Sequence, residues 1–219
     1  MPFSLIYLLL FLLMLGMLVA VVQLGLITMT FDKLGLSPHS AFVLLLCSLF
    51  GSSINLPLFS VRAQLPPELV EGVFYGLLRG PRRLFSGRTR VMVNVGGGVI
   101  PAAFSLYLFT HARLDVVQTL LAILVVAAVS YRLSRPIPGL GIAMPIFVAP
   151  LTAAMVALAL GGDNPAPLAY ISGSLGVLLG ADLFRLRDIP RLGVSLVSIG
   201  GAGTFDGIFI TGLVAVLLT

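Results

Sequence analysis

From Leu5 to Ile27 the chain carries no charged residue, and comparable apolar stretches recur to its end. A run of this length covers the ~30 Å hydrocarbon layer of a bilayer at about 1.5 Å per helical residue. Charged residues make up 10% of the 219 positions and hydrophobic ones 58%, whereas a soluble domain covers its surface with roughly 25% charge. Lipid is therefore the expected solvent for a single transmembrane domain spanning residues 1–219. Leu5–Ile27 lacks a basic leading region and a small-residue cleavage site, so it is expected to stay as a span.

Seven spans are expected, over 4–29, 38–58, 91–110, 115–132, 139–161, 165–184 and 192–218. The fold class is all-α, because a backbone in lipid must satisfy its own hydrogen bonds. Eleven of the 13 basic residues fall in the connections 59–90, 132–138 and 185–191, with only Lys33 and Arg113 in the alternate ones. This bias places the N-terminus in the cytoplasm and Thr219 outside. The excess of Lys and Arg over Asp and Glu thus reads as membrane orientation rather than nucleic-acid binding. The single Cys47 forms no internal disulfide and reads as filler; no cofactor and no metal site are expected.

The connection 59–90 has helical spacing after Pro66 and Pro67, at Leu69/Val70, Val73/Phe74 and Leu77/Leu78. An amphipathic helix near 67–79, lying on the cytoplasmic headgroups or packed under the bundle, fits that spacing. Spans three, five and seven carry glycine and proline: Gly96-Gly97-Gly98 and Pro101; Gly139, Gly141, Pro145 and Pro150; Gly200-Gly201-Ala202-Gly203, Gly207 and Gly212. Kinked or broken helices packed closely at the bundle centre are expected there.

A charge inside a span costs a few kcal/mol on insertion scales, so each is a functional candidate. Two acids qualify, Asp182 on span six and Asp206 on span seven. Two carboxylates meeting in a low-dielectric site do not both ionise easily and share a proton. One then activates water while the other, protonated, polarises a carbonyl, which is aspartyl hydrolysis. Gly201, Gly203 and Thr204, beside Asp206, and Asn94 on span three are the candidate substrate-binding residues, since small residues let a substrate backbone approach.

Simpler roles exist for each. Asp182 could pair with Arg185 or anchor at the headgroups, and Asp206 could cap a half-helix beginning near Thr204. Asn55, Asn94 and Gln118 could bond between helices. His39 and His111 read as solvated caps, and Asp163-Asn164-Pro165 as an external turn.

The segments Asn94–Pro101, Arg135–Pro145, Gly180–Leu183 and Ser198–Phe209 resemble a bacterial and archaeal family of polytopic membrane proteins known only as a domain of unknown function. The resemblance covers most of the chain and implies a fold type and a prokaryotic cell membrane, without an activity. A more remote resemblance is to the GxGD intramembrane aspartyl proteases: presenilin, signal peptide peptidase and prepilin peptidase. It implies one aspartate on a helix ending in the cytoplasm and a second, after Gly-x-Gly, on the next helix, the order and orientation of Asp182 and Asp206. The departures are specific. Here the motif reads Gly201-Ala202-Gly203-Thr204-Phe205-Asp206, no tyrosine precedes Asp182, and no later helix supplies a Pro-Ala-Leu element.

Depth adds a condition. Along straight helices Asp182 lies roughly 9 Å from the cytoplasmic turn and Asp206 roughly 22 Å. The acids meet only if Gly200–Gly203 is non-helical, or if 192–203 forms a re-entrant half-helix. A protease would take a transmembrane helical substrate from the bilayer. The rival readings are a transporter or channel, with Asp206 binding a proton or cation near Asn94, and a scaffold that binds a partner helix.

Overall fold

The structure is a computed structural model, and it describes residue 16 and residues 25–64, 87–138, 141–201 and 207–219. Most of the first expected span, the amphipathic segment 67–79, Gly139, and the candidate residues Gly203, Thr204 and Asp206 lie outside the described residues.

Helices dominate. The order is α1 (Gly25–Lys33), α2 (Pro38–Gly51), β1 (Asn55–Arg62), β2 (Arg88–Asn94), a π-helical turn Val95–Val99 and α3 (Ile100–His111). Then come α4 (Val116–Leu133), β3 (Arg135–Ile137), β4 (Gly141–Ala143), α5 (Val148–Leu160) and α6 (Pro165–Val177), which runs on as a π-helical turn Leu178–Leu183. A 3-10 turn Leu186–Arg191, β5 (Leu196–Ile199) and α7 (Gly207–Leu217) complete the chain.

Local chemistry sets several of the starts. Ser37 accepts from the Ser40 N–H ahead of Pro38 to begin α2, and Asp115 accepts from the Gln118 N–H to begin α4, both side-chain caps for otherwise unpaired helix N–H groups. α6 is the centre of the bundle, with every residue from Ala166 to Ser174 buried. Ala149, Ala153 and Ala157 give α5 a flat, fully buried stripe, and Gly173 of α6 faces Ala153. On the π-helical turn that extends α6, Gly180 sits so close to α4 that a Cβ there would fall on the Ala127 carbonyl oxygen.

Among the described residues, two helices are long and apolar enough to cross a membrane, Val116–Leu133 and Pro165–Leu183, or up to three if α1 and α2, bent by 106°, count as one broken span. The helices Val95–His111 and Val148–Leu160 are apolar but shorter. These are the helices of a membrane protein, with fewer through-going spans in the described residues than the sequence suggests.

The all-α expectation is corrected by two sheets. β1 pairs antiparallel with β2 (Asn55↔Asn94 to Arg62↔Arg88), and β2 pairs in parallel with β5 (Arg90↔Leu196 to Val93↔Ile199). β3 and β4 form a small hairpin. Expected spans two, three, five and seven are thus part strand, part helix. Sheet ladders satisfy backbone groups as helices do, and Pro57 lies on β1, an edge strand, where a missing N–H is tolerated. On β2, Thr89 and Val91 are fully buried while Arg88 and Arg90 are exposed, a period of two that fixes the inner face. That face rests on Ile189, Leu192 and Ile199 in a second small core.

Polar ties fix both ends of the molecule. At one end Arg185 donates to the Tyr131 and Ser134 carbonyls at 2.6 and 2.7 Å and stacks on the Tyr131 ring, capping the C-terminus of α4. The Gln64 N–H donates to Pro190 O at 2.8 Å, bringing the β1 end to the same level. At the other end Lys33 donates to the last carbonyls of α7, and Asn164 to Ala112 O.

Candidate functional site

The glycine-bearing stretch of the seventh expected span is not helical. β5 ends at Ile199, and Gly200 and Gly201 turn the chain with φ of +81° and +96°, conformations that glycine adopts without a Cβ penalty. The Gly200 N–H donates to Asp182 Oδ2 at 2.7 Å. Asp182 stands on the π-helical turn that extends α6, so the first acid of the expected pair is bonded to the segment that leads to the second. Asp206 and its neighbours Gly203 and Thr204 fall outside the described residues. On the far side, Ile208 of α7 packs in one buried cluster with Ala149, Val177 and Ala181, the last of which adjoins Asp182.

The alternative pairing of Asp182 with Arg185 does not form. Arg185 bonds Asp188 at 3.1 Å instead, and among the described residues no cation pairs with Asp182. Its other oxygen has no hydrogen-bond partner among the described residues.

Gly200 also lies against the π-helical turn that opens α3. A Cβ on Gly200 would stand 2.6 Å from Gly98 N and 2.8 Å from Gly97 C, so two glycine backbones cross in contact. The same turn is held from its other side. Ser48 of α2 donates to Gly96 O at 2.8 Å, and a Cβ on Gly96 would collide with the Ser48 and Ser52 backbone.

Asn94, only 1% exposed, is the hub of this crossing. Its Oδ1 accepts from the Gly97 N–H at 2.8 Å and caps the turn, while its Nδ2 donates to Ser52 O at 2.7 Å and to Asn55 Oδ1 at 3.2 Å. Asn55 Oδ1 in turn accepts from Ser198 Oγ at 2.6 Å. The expected substrate-binding residue Asn94 is therefore occupied with the ends of α2, β1, β2 and, through Asn55, β5. Gly201 lies in the turn beside Asp182. Ser48, Ser52 and Ser198 belong to the same polar centre and went unread; a serine in an apolar run gives no periodic signal.

His111 and His39 lie at the end opposite the arginine clamp, Cys47 is an exposed free thiol, and Asn164 belongs to the turn before α6. No group of three or more metal-ligating side chains occurs among the described residues.

What remains is an acid that pairs with no cation among the described residues, held by a glycine turn where helices stop and strands begin. No curated protein and no solved structure matches the chain. The stretch that builds the crossing, from the end of α2 through α7, is also the stretch that matches a family model over residues 49–218, described as Protein of unknown function (DUF1614), and the chain belongs to that family.

Proposed function

We propose that the chain is an intramembrane aspartyl peptidase in which Asp182 and Asp206 form the catalytic pair. The observation that carries this reading is the Asp182–Gly200 hydrogen bond, supported by the place of Ile208 in one buried cluster with Ala149, Val177 and Ala181. These two anchors lie on either side of Asp206 in the sequence, and the non-helical Gly200–Gly201 turn supports a meeting of the acids. A substrate carbonyl lies between the carboxyls. The ionised acid takes a proton from water, the protonated one polarises the carbonyl, and the hydroxyl adds to the carbonyl carbon. The C–N bond then breaks with proton transfer to the departing amine. Gly201, Gly203 and Thr204 leave room for a substrate backbone beside the acids, and Asn94 holds the wall behind them.

The reading includes a bilayer protein of about seven spans, several of them broken, with a cytoplasmic N-terminus and an external C-terminus. It is supported by the gathering of Arg62, Arg88, Arg132, Arg135, Arg185 and Arg191 at the end of the molecule where α4 and the extended α6 finish. The substrate is a transmembrane helix drawn from the same bilayer.

The test is cleavage of a single-span reporter co-reconstituted in proteoliposomes. Asp182→Asn and Asp206→Asn are each expected to abolish it, and activity surviving in either variant removes the proposal. A second reading, a cation- or proton-coupled transporter, rests on the buried amide and hydroxyl centre beside unwound backbone. It requires Asp206 and tolerates Asp182→Asn in an ion-flux assay.

A further inference from the structure

We propose that the outer face of the β1–β2 hairpin is a binding surface for anionic phospholipid headgroups of the bilayer in which the chain sits. Three exposed arginines make it. Arg62 and Arg88 are direct cross-strand partners, and Arg90, two residues along β2 from Arg88, faces Ser60. Partners across a ladder and residues two apart along a strand share one face, so all three guanidinium groups project from the same side. The opposite side, Thr89 and Val91, is sealed against the core.

Like charges directly opposite one another destabilise a strand pair, which makes the arrangement costly unless an anion bridges it. No acid among the described residues supplies one. The only ion pairs among the described residues are those of Asp188 with Arg185 and Arg191. The connection 65–86 carries three arginines against two glutamates. A guanidinium fork suits phosphate oxygens in bidentate geometry.

The level of the face identifies which phosphate. Gln64, just past Arg62, is bonded to Pro190, and the turn that carries Pro190 follows directly on the extended α6. The face therefore lies where the two longest apolar helices end, at Leu133 and Leu183, and headgroups begin there. An arginine near an anionic membrane surface contributes about a fivefold gain in binding at ordinary salt.

The experiment presents the purified full chain in detergent with equal amounts of phosphatidylcholine and phosphatidylglycerol and counts retained lipid by native mass spectrometry. Wild type is expected to retain phosphatidylglycerol at least about fivefold over phosphatidylcholine. Arg62→Gln/Arg88→Gln/Arg90→Gln should lower that ratio by at least about fivefold, while Arg113→Gln, at the opposite end, leaves it unchanged. Should the triple variant not fold, Arg90→Gln alone and wild type at molar salt each test the same point, the latter through screening. A wild-type ratio near one, or a variant ratio within about twofold of wild type, overturns the proposal. So does displacement of phosphatidylglycerol by millimolar inorganic phosphate, which assigns the face to a soluble anion.

Discussion

Gly200→Ala should cost far more than the addition of one methyl group suggests, because the site imposes two separate penalties. With φ at +81°, an L-residue there incurs about 1–2 kcal/mol of left-handed strain. The new Cβ would also stand 2.6 Å from Gly98 N, 2.7 Å from Gly98 Cα and 2.8 Å from Gly97 C. Ordinary carbon contacts lie near ~3.5–4.0 Å, so the turn and the π-helical segment must part by about 1 Å, and overpacking of this kind costs about 1–3 kcal/mol. The sum is about 2–5 kcal/mol. Gly98→Ala is the matched control. Its nearest neighbour is the end of a side chain, Val93 Cγ2 at 3.1 Å, followed by Ile199 O at 3.4 Å, and its backbone is helical. It should cost less than about 1 kcal/mol, offset by the better helix propensity of alanine. Unfolding by dodecyl sulfate in mixed micelles, followed by far-UV circular dichroism, gives both values. Equal stabilities, or Gly98→Ala as the worse variant, would refute the glycine crossing and with it the placement of Asp182 against the Gly200 turn.

The other variants probe the groups around that turn. Asn94→Ala leaves Ser52 O and the Gly97 N–H without their partner in a site sealed from solvent, and should cost about 2–4 kcal/mol in the same unfolding measurement; a loss under ~0.5 kcal/mol contradicts the network. Gly180→Ala should loosen α6 from α4 at the Ala127 carbonyl and lower stability by about 3 kcal/mol, whereas Gly25→Ala, with no described atom within 4 Å of a new Cβ, should be neutral or mildly stabilising. Asp182→Asn keeps an oxygen for the Gly200 N–H and should fold as wild type, while Asp182→Ala should lose about 1–3 kcal/mol from the stranded donor; equal stability of the two would dissociate the carboxyl from that role. Arg185→Lys cannot reproduce a fork that reaches the Tyr131 and Ser134 carbonyls, Ser134 Oγ and Asp188 together, and should cost about 1.5–3 kcal/mol.

The difference between what hydropathy reveals and what it hides is a matter of scale. Val116–Leu133 and Pro165–Leu183 are visible in the sequence because helical backbone persists over 18 and 19 residues, and any window that long averages over like environments. Asn55–Arg62, Arg88–Asn94 and Leu196–Ile199 were hidden because a strand of four to eight residues next to a helix merges with it under the same average. The signal was local: Thr89 and Val91 alternate with Arg88 and Arg90, a period of two that a span-length window erases. The breaks were legible for a different reason. Glycine at 96–98 and 200–201 removes the Cβ that would keep two backbones apart, so clustered glycines signal close crossing wherever they fall, and Asp182 within reach of such a cluster marks the place worth testing. What no residue letter contains is the partner across the crossing. Asp182 lies three residues from Arg185, so its salt bridge was the natural local expectation, but Arg185 is drawn to the open carbonyls at the end of α4 and to Asp188. With the nearest cation drawn away, the Asp182 carboxyl accepts from the Gly200 N–H at 2.7 Å and meets no cation among the described residues.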